Sequence, residues 1–341
     1  MSSPAASTST QPARRPPRSR LAVPVLVLLG ALAVLAGCST SAASTAKTDS
    51  ARTTVAADAN SAAQTSSAAD VNLSAAKLRL IDPCGLLDAA TMAQFGSPQP
   101  STSAGIDACN DDVSDGRGND LNVTVTVGSD LSDYNPTGTI AGLPAAEDSD
   151  STACFDRLVT QRDPVIGIEI QADYDKNPSC PVARELAQLV VAHIRSSPPQ
   201  RADGAGSLAT VDPCDTIDDA TAAAVDGGTP GKRAEGLYRC EWQNDGTGFD
   251  LTVEFSLDQD PKDDATNGPP QPVDIGVPAY QSSSDDVYPT CDVKWMITSV
   301  GDGFGEVVDV EFGDVENGAV DACAQAVTAA KAVATKVPKA S

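Results

Sequence analysis

Residues 121–127, "LNVTVTV", alternate apolar and polar side chains one for one, and residues 251–255, "LTVEF", repeat the pattern. Alternation rich in β-branched residues places one side of an extended chain in a core and the other in water, so both stretches predict half-buried strands. "VIGIEI" (165–170) and "VVDVEF" (307–312) predict a further strand in each half, and the turn-rich "DGRGND" and "NDGTG" suit hairpin connections. The period then changes. In "CPVARELAQLVVAHIRSS" and "VDACAQAVTAAKAVATKV" the apolar residues fall at helical spacing, which predicts a closing helix in each half. Ahead of the strands stand "IDPCGLLDAAT" (81–91) and "VDPCDTIDDAT" (211–221). Asp caps a first turn, Pro is tolerated at its first position, and Asp88 and Asp218 read as N-caps of short helices ending near Gly96 and Gly227. A short N-terminal helix, an antiparallel sheet and a longer C-terminal helix make a two-layer α+β domain.

The elements recur in the same order. "AGLPA" (141–145) answers "IGVPA" (275–279), and "NDLNVTVTV" after Cys109 answers "FDLTVEF" after Cys240. Two copies are too few for a solenoid, so the pattern predicts a tandem duplication of one domain, over residues 79–197 and 208–338. The Pro- and Gly-bearing stretch at 198–207 reads as the linker.

The N-terminus changes where such a protein is expected to work. "ARRPPRSR" precedes an apolar run from Leu21 to Gly37, the order of a secretory signal, and the run is marginal in length for a membrane span. Leu35-Ala36-Gly37-Cys38 resembles the lipobox of bacterial lipoproteins, which implies cleavage of residues 1–37 and lipidation of Cys38. Two or more acyl chains hold a protein stably, so the expected location is the extracytoplasmic face of the cell membrane, with the membrane as partner through the lipid anchor. Residues 38–78 are rich in Ala, Ser and Thr and lack aromatics, a composition that predicts a disordered tether. Loss of residues 1–37 removes Arg14, Arg15, Arg18 and Arg20 and no acid, leaving 19 basic against 47 acidic side chains, a net charge of −28. That field repels phosphate backbones, so nucleic acid is not expected as a partner.

Nine cysteines leave eight once Cys38 is lipidated, four to a half: Cys84, Cys109, Cys154 and Cys180, then Cys214, Cys240, Cys291 and Cys323. If both halves share one scheme, three pairings remain, and the local one, first with second and third with fourth, closes loops of about 25 residues worth roughly 3.5 kcal/mol each. Aromatics are only 4% of the chain, so cores of Val, Ile, Leu and Ala need such staples. No Cys-x-x-Cys or Cys-His spacing suggests zinc, and a nucleophilic cysteine lacks a base because His193 is the sole histidine. "DDVSDGRGND" (111–120) lacks the ligand pattern of a calcium loop and reads as a strand-joining turn. No metal, cofactor or catalytic residue is expected. The aromatics concentrate in the second half, where Trp242, Tyr280, Tyr288 and Trp295 are the candidates for a ligand groove, with packing over a disulfide as the other role for Trp242 and a partner surface or core and rim packing as the other roles for Tyr280 and Tyr288.

Lipobox, Ser/Thr/Ala tether, Asp-Pro-Cys opening, Cys-x-Trp at 240–242, Gly-x-Pro-Ala step and late cysteine-bearing helix together resemble an actinobacterial lipoprotein family, domain of unknown function 3558. The resemblance spans both halves and is better in the second, since the first has "CND" at 109–111. More distantly, the two-disulfide layout looks like the extracellular sensor domains of mycobacterial receptor kinases. The resemblance implies a cell-envelope location and a compact disulfide-bonded domain and supplies no catalytic residues. The expectation is a non-enzymatic surface lipoprotein whose tandem domains bind or sense an envelope ligand or protein partner. The alternatives are a carboxylate-dependent enzyme acting on envelope glycans and a lipid or small-molecule carrier.

Overall fold

The alternating stretch of the first half lies in the middle of strand β4 (Asp120–Asp130), where Leu121, Val123, Val125 and Val127 are all buried and the threonines between them are not. The computed structural model describes residues 68–339 apart from 175–177, 203–205, 245, 266–268, 286 and 316–319; the expected signal sequence, Cys38 and residues 39–67 of the expected tether lie outside the described residues. Around β4 are β1 (Ser97–Pro98), β2 (Thr102–Ser103), β3 (Ala108–Ser114), β5 (Gly138–Ile140), β6 (Leu143–Ser149), β7 (Ala153–Arg162) and β8 (Val165–Tyr174). They form one antiparallel sheet in the order β1-β3-β4-β8-β7-β6-β5, with β2 also paired to β3. The helical-period segment is α4 (Ser179–Ser196), which lies across β7 and β8 and buries Ala183, Leu186, Ala187, Val190, Val191 and Ile194.

The second half has β9 (Gly231–Ala234), β10 (Arg239–Asn244), β11 (Phe249–Gln259), β12 (Gln271–Asp274), β13 (Pro278–Ser284), β14 (Thr290–Gly301) and β15 (Phe304–Asp314). Their order, β9-β10-β11-β15-β14-β13-β12, matches the first sheet strand for strand, and α6 (Ala322–Val333) covers β14 and β15 as α4 covers β7 and β8. The architecture is α+β, two antiparallel sheets with helices on one face of each. No helix among the described residues is long and apolar enough to cross a membrane.

The caps fall at the expected aspartates. Asp82 and Asp212 each accept from the Cys amide two residues on, Cys84 and Cys214, at 3.0 Å, and Asp88 and Asp218 accept from Thr91 and Thr221 at 2.7 Å. In the first half the opening helix is two single turns, α2 (Pro83–Leu86) and α3 (Ala89–Met92), so it stops short of Gly96. In the second, a 3-10 turn (Pro213–Asp215) is followed by α5 (Asp219–Asp226), which ends on Gly227 in the left-handed conformation, φ 73°, where glycine carries no steric penalty. Four disulfides join Cys84 to Cys109, Cys154 to Cys180, Cys214 to Cys240 and Cys291 to Cys323, the first-with-second, third-with-fourth scheme in both halves.

Two stretches depart from their compositional reading. Residues 68–78, the end of the expected tether, form a 3-10 turn (Ala68–Leu73) and α1 (Ala75–Leu78). Leu73 and Leu78 are 2% and 1% exposed, Asn72 donates to the Ile194 carbonyl at 3.2 Å, and Asp70 pairs with Arg195 at 2.8 Å. Two leucines and one partner for the open end of α4 are enough to dock a stretch whose average composition predicts none of it. The expected linker is also docked. Asp82 N donates to Pro199 O and Arg201 N to Leu80 O, both at 3.0 Å, so residues 199–201 run antiparallel to the Asp-Pro-Cys opening.

The halves meet directly, and all described residues fall in one compact unit. Arg79 is buried, donates to the carbonyls of Val211 (3.0 Å) and Leu237, pairs with Asp212 at 2.8 Å and lies over the Tyr238 ring. Beside it Leu237 N donates to Gly128 O at 2.9 Å. The backbones approach so closely there that a Cβ on Gly128 would meet Leu237 Cδ1 at 2.1 Å, and one on Gly236 would meet Gly128 O at 2.7 Å.

Candidate ligand cleft

The aromatic candidates do not gather around a cavity. Trp242 and Trp295 are each 1% exposed and project from the helix-covered face of the second sheet, opposite Leu251 and Val308. Their even spacing from Cys240 and Cys291 carries them inward with the disulfides, so they are core and not groove lining. Tyr280 stands opposite Lys294 on the other face, and Tyr288 lies against Gly313 in the β13–β14 connection; both are half-buried. The position of Trp242 is taken in the first half by Asp111, buried two residues after Cys109, and that burial raises its carboxyl pKa. His193 is half-buried in the last turn of α4.

The face of each sheet away from its helix carries a matched charge row. Arg157 of β7 pairs with Glu169 at 2.6 Å and lies 4.0 Å from the Tyr134 ring centroid; Lys294 of β14 pairs with Asp309 at 3.3 Å and with Asp264 at 3.4 Å. One row further along the second sheet, Asp292 and Glu311 face each other across β14 and β15. Burial and then the Asp292 carboxylate push Glu311 up to about 7, and burial does the same to Asp309 against the pull of Lys294. Glu311 and Asp292 thus lie side by side on the face away from the helix, with Lys294 and Arg239 among the cations acting on Glu311. A glycan-cleaving pair instead flanks a groove with room for a sugar ring between the two carboxyls.

Metal-like proximity occurs among the described residues at Glu147, Cys154 and Cys180, whose ligand atoms lie within 4.8 Å of one another. Both sulfurs belong to one disulfide, so neither is a thiolate able to take a cation. At the junction of the halves a cavity of about 240 Å³ opens beside Asp107 and Tyr238. Burial raises the pKa of both groups, which favours their neutral forms.

A more apolar space is a cleft of about 500 Å³ between the docked segment 70–74 and the paired strands β6 and β7 of the first sheet. Its floor is Leu73, Leu143 and Val159, all buried, and Val71, 55% exposed, stands at its rim. The segment that forms its outer wall is held by the Asn72 and Asp70 contacts to the end of α4, and Ala75 N donates to Gln161 Oε1 at 3.4 Å across the cleft end. The wall is therefore part of the fold, and the cleft is preformed, as small-molecule sites usually are. Residues 70–74 give no sequence signal of this role. Val71 and Leu73 are scattered apolar residues in an Ala/Ser-rich stretch, and only the end of α4 shows what they dock against.

The cleft lies within the stretch of chain that has known relatives. Residues 33–193 match the family described as protein of unknown function (DUF3558). The match covers the first sheet and most of α4, the half with "CND", whereas the motifs led to the expectation of a resemblance over both halves and a better one in the second. The inward position after Cys109 accepts a buried Asp111 in the same fold, so the missing tryptophan is no mark against membership of that half. No curated protein matches the chain. Two solved structures align over most of its length. One is the crystal structure of DynU16 from the dynemicin biosynthetic locus, 12% identical over 79% of this chain and 93% of that one, TM-score 0.14. The other is the di-domain ARO/CYC BexL from the BE-7585A biosynthetic pathway, 11% identical over 76% of this chain and 93% of that one, TM-score 0.15. Superpositions that poor carry no information about this fold or its role.

Proposed function

We propose that this chain is a lipid-anchored protein of the extracytoplasmic membrane face that binds a small envelope ligand without catalysing a reaction, and that the cleft between residues 70–74 and strands β6 and β7 is its ligand site. The observation that carries the reading is the preformed cleft itself, about 500 Å³ with an apolar floor. Spaces of roughly 300–1,000 Å³ with such a floor and a few polar groups are the common form of small-molecule sites. The signal-like N-terminus and Leu35-Ala36-Gly37-Cys38 support the anchor, and four disulfides suit an oxidising compartment. Matched strand order, matched cysteine pairing and matched Asp caps support descent of the two halves from one duplicated domain.

Native mass spectrometry of the full chain purified from its own envelope checks the reading. A retained small molecule, lost when Val159→Trp fills the floor, is the expected result. A protein that carries nothing from the envelope and a cleft whose filling changes no binding would sink it. Cys38→Ser should move the protein out of the membrane fraction, and continued integration would show that residues 21–37 are an anchor in their own right.

A further inference from the structure

We infer that the cleft takes a single-chain anionic amphiphile, tail on the floor and acidic head at Arg162, an assignment that rests on the cleft being the ligand site. Most polar groups around the cleft are already engaged within the fold. Asp70 is paired with Arg195, and Ser74 Oγ donates to Val71 O at 3.0 Å. Thr160 Oγ1 donates to Ile166 O at 3.1 Å, and Gln161 uses its amide nitrogen on Asp163 O and its oxygen on Ala75 N. Arg162 differs: it lines the cleft, is exposed, and has no ion-pair partner among the described residues.

A guanidinium with open donors beside an apolar floor recognises a planar anion such as a carboxylate or a phosphate. The floor of Leu73, Leu143 and Val159 offers nothing to a polar body, so the remainder of the ligand must be hydrocarbon. In a chain this acidic, an anionic head gains nothing from the overall field and depends on that one local cation. The buried floor and the exposed guanidinium thus fix an orientation, with the chain inward and the head outward.

Oleate and oleyl alcohol share the hydrocarbon and differ in charge, so they separate the two parts of the assignment. Native mass spectrometry of the full-length protein incubated with each should show an oleate adduct, reduced about tenfold by Arg162→Gln, and a weaker oleyl alcohol adduct that Arg162→Gln leaves unchanged. Val71→Trp, at an exposed rim position where folding is not at stake, should remove both adducts. Equal adducts that ignore Arg162→Gln but vanish with Val71→Trp would overturn the anionic class and leave the cleft as the site. Adducts that survive Val71→Trp, or none for either probe, would overturn the cleft as well.

Discussion

Asp156 and Asp226 are fully buried, and neither carboxylate has a hydrogen-bond partner among the described residues. Burial is the main cause that raises Asp156 to about 6, with Glu147 adding to it, and burial with Asp250 raises Asp226 to about 7. An unfolded Asp titrates near about 3.9, so between pH 4 and 7 the folded protein holds protons that the unfolded chain has released. This contribution to stability is fully present below pH 4 and is lost as pH rises through 6 to 7. Asp226→Asn should therefore stabilise the protein at pH 8 by on the order of 2 kcal/mol, with the gain fading by pH 5. Urea unfolding at the two pH values measures it; a gain of equal size at both would show that the buried carboxylate is not the cause. The sequence hid these residues because an aspartate beside a cysteine or at a helix end looks solvated until its neighbours close over it.

At the scale of elements, the fold class and its framing elements were legible, while the other eleven strands among the described residues were not. Alternation placed β4, β8, β11 and β15, helical spacing placed α4 and α6, and paired aspartates marked the caps because those signals act over a few residues. Removing one, Asp218→Ala, should cost about 1 kcal/mol, read as a lower urea midpoint with an unchanged slope. The cysteine pairing was legible too, because local loops close most readily and two halves had to agree. Replacing Cys154 and Cys180 together by Ala should cost roughly 3.5 kcal/mol by the chain-entropy relation, with a similar loss for Cys291 and Cys323, measured in the same way. The inward position of Trp295 was not legible: sequence gives the side chain's parity along the strand but not which face the helix will cover. The cleft was not legible at all, since its two walls come from segments about seventy residues apart.

Over the whole molecule, Arg79 and the glycine pair decide whether there are two bodies or one. Arg79→Met leaves the Val211 and Leu237 carbonyls without their donor and Asp212 without its partner, at a cost of about 3 kcal/mol. Calorimetry should then replace a single transition with two; one undivided transition would mean the halves are joined elsewhere. Gly236→Ala should act at the same seam, because its Cβ would press on Gly128 O, and the φ of 79° there is unfavourable for alanine.

The Asp-Pro-Cys opening is pinned by Pro199 and Arg201, which the chain reaches only after the entire first sheet and α4. Because the chain is made from its N-terminus onward, the opening of the first half is completed only after residue 201 has been added. The stretch that reads as a linker is thus the last piece of the first half to be put in place.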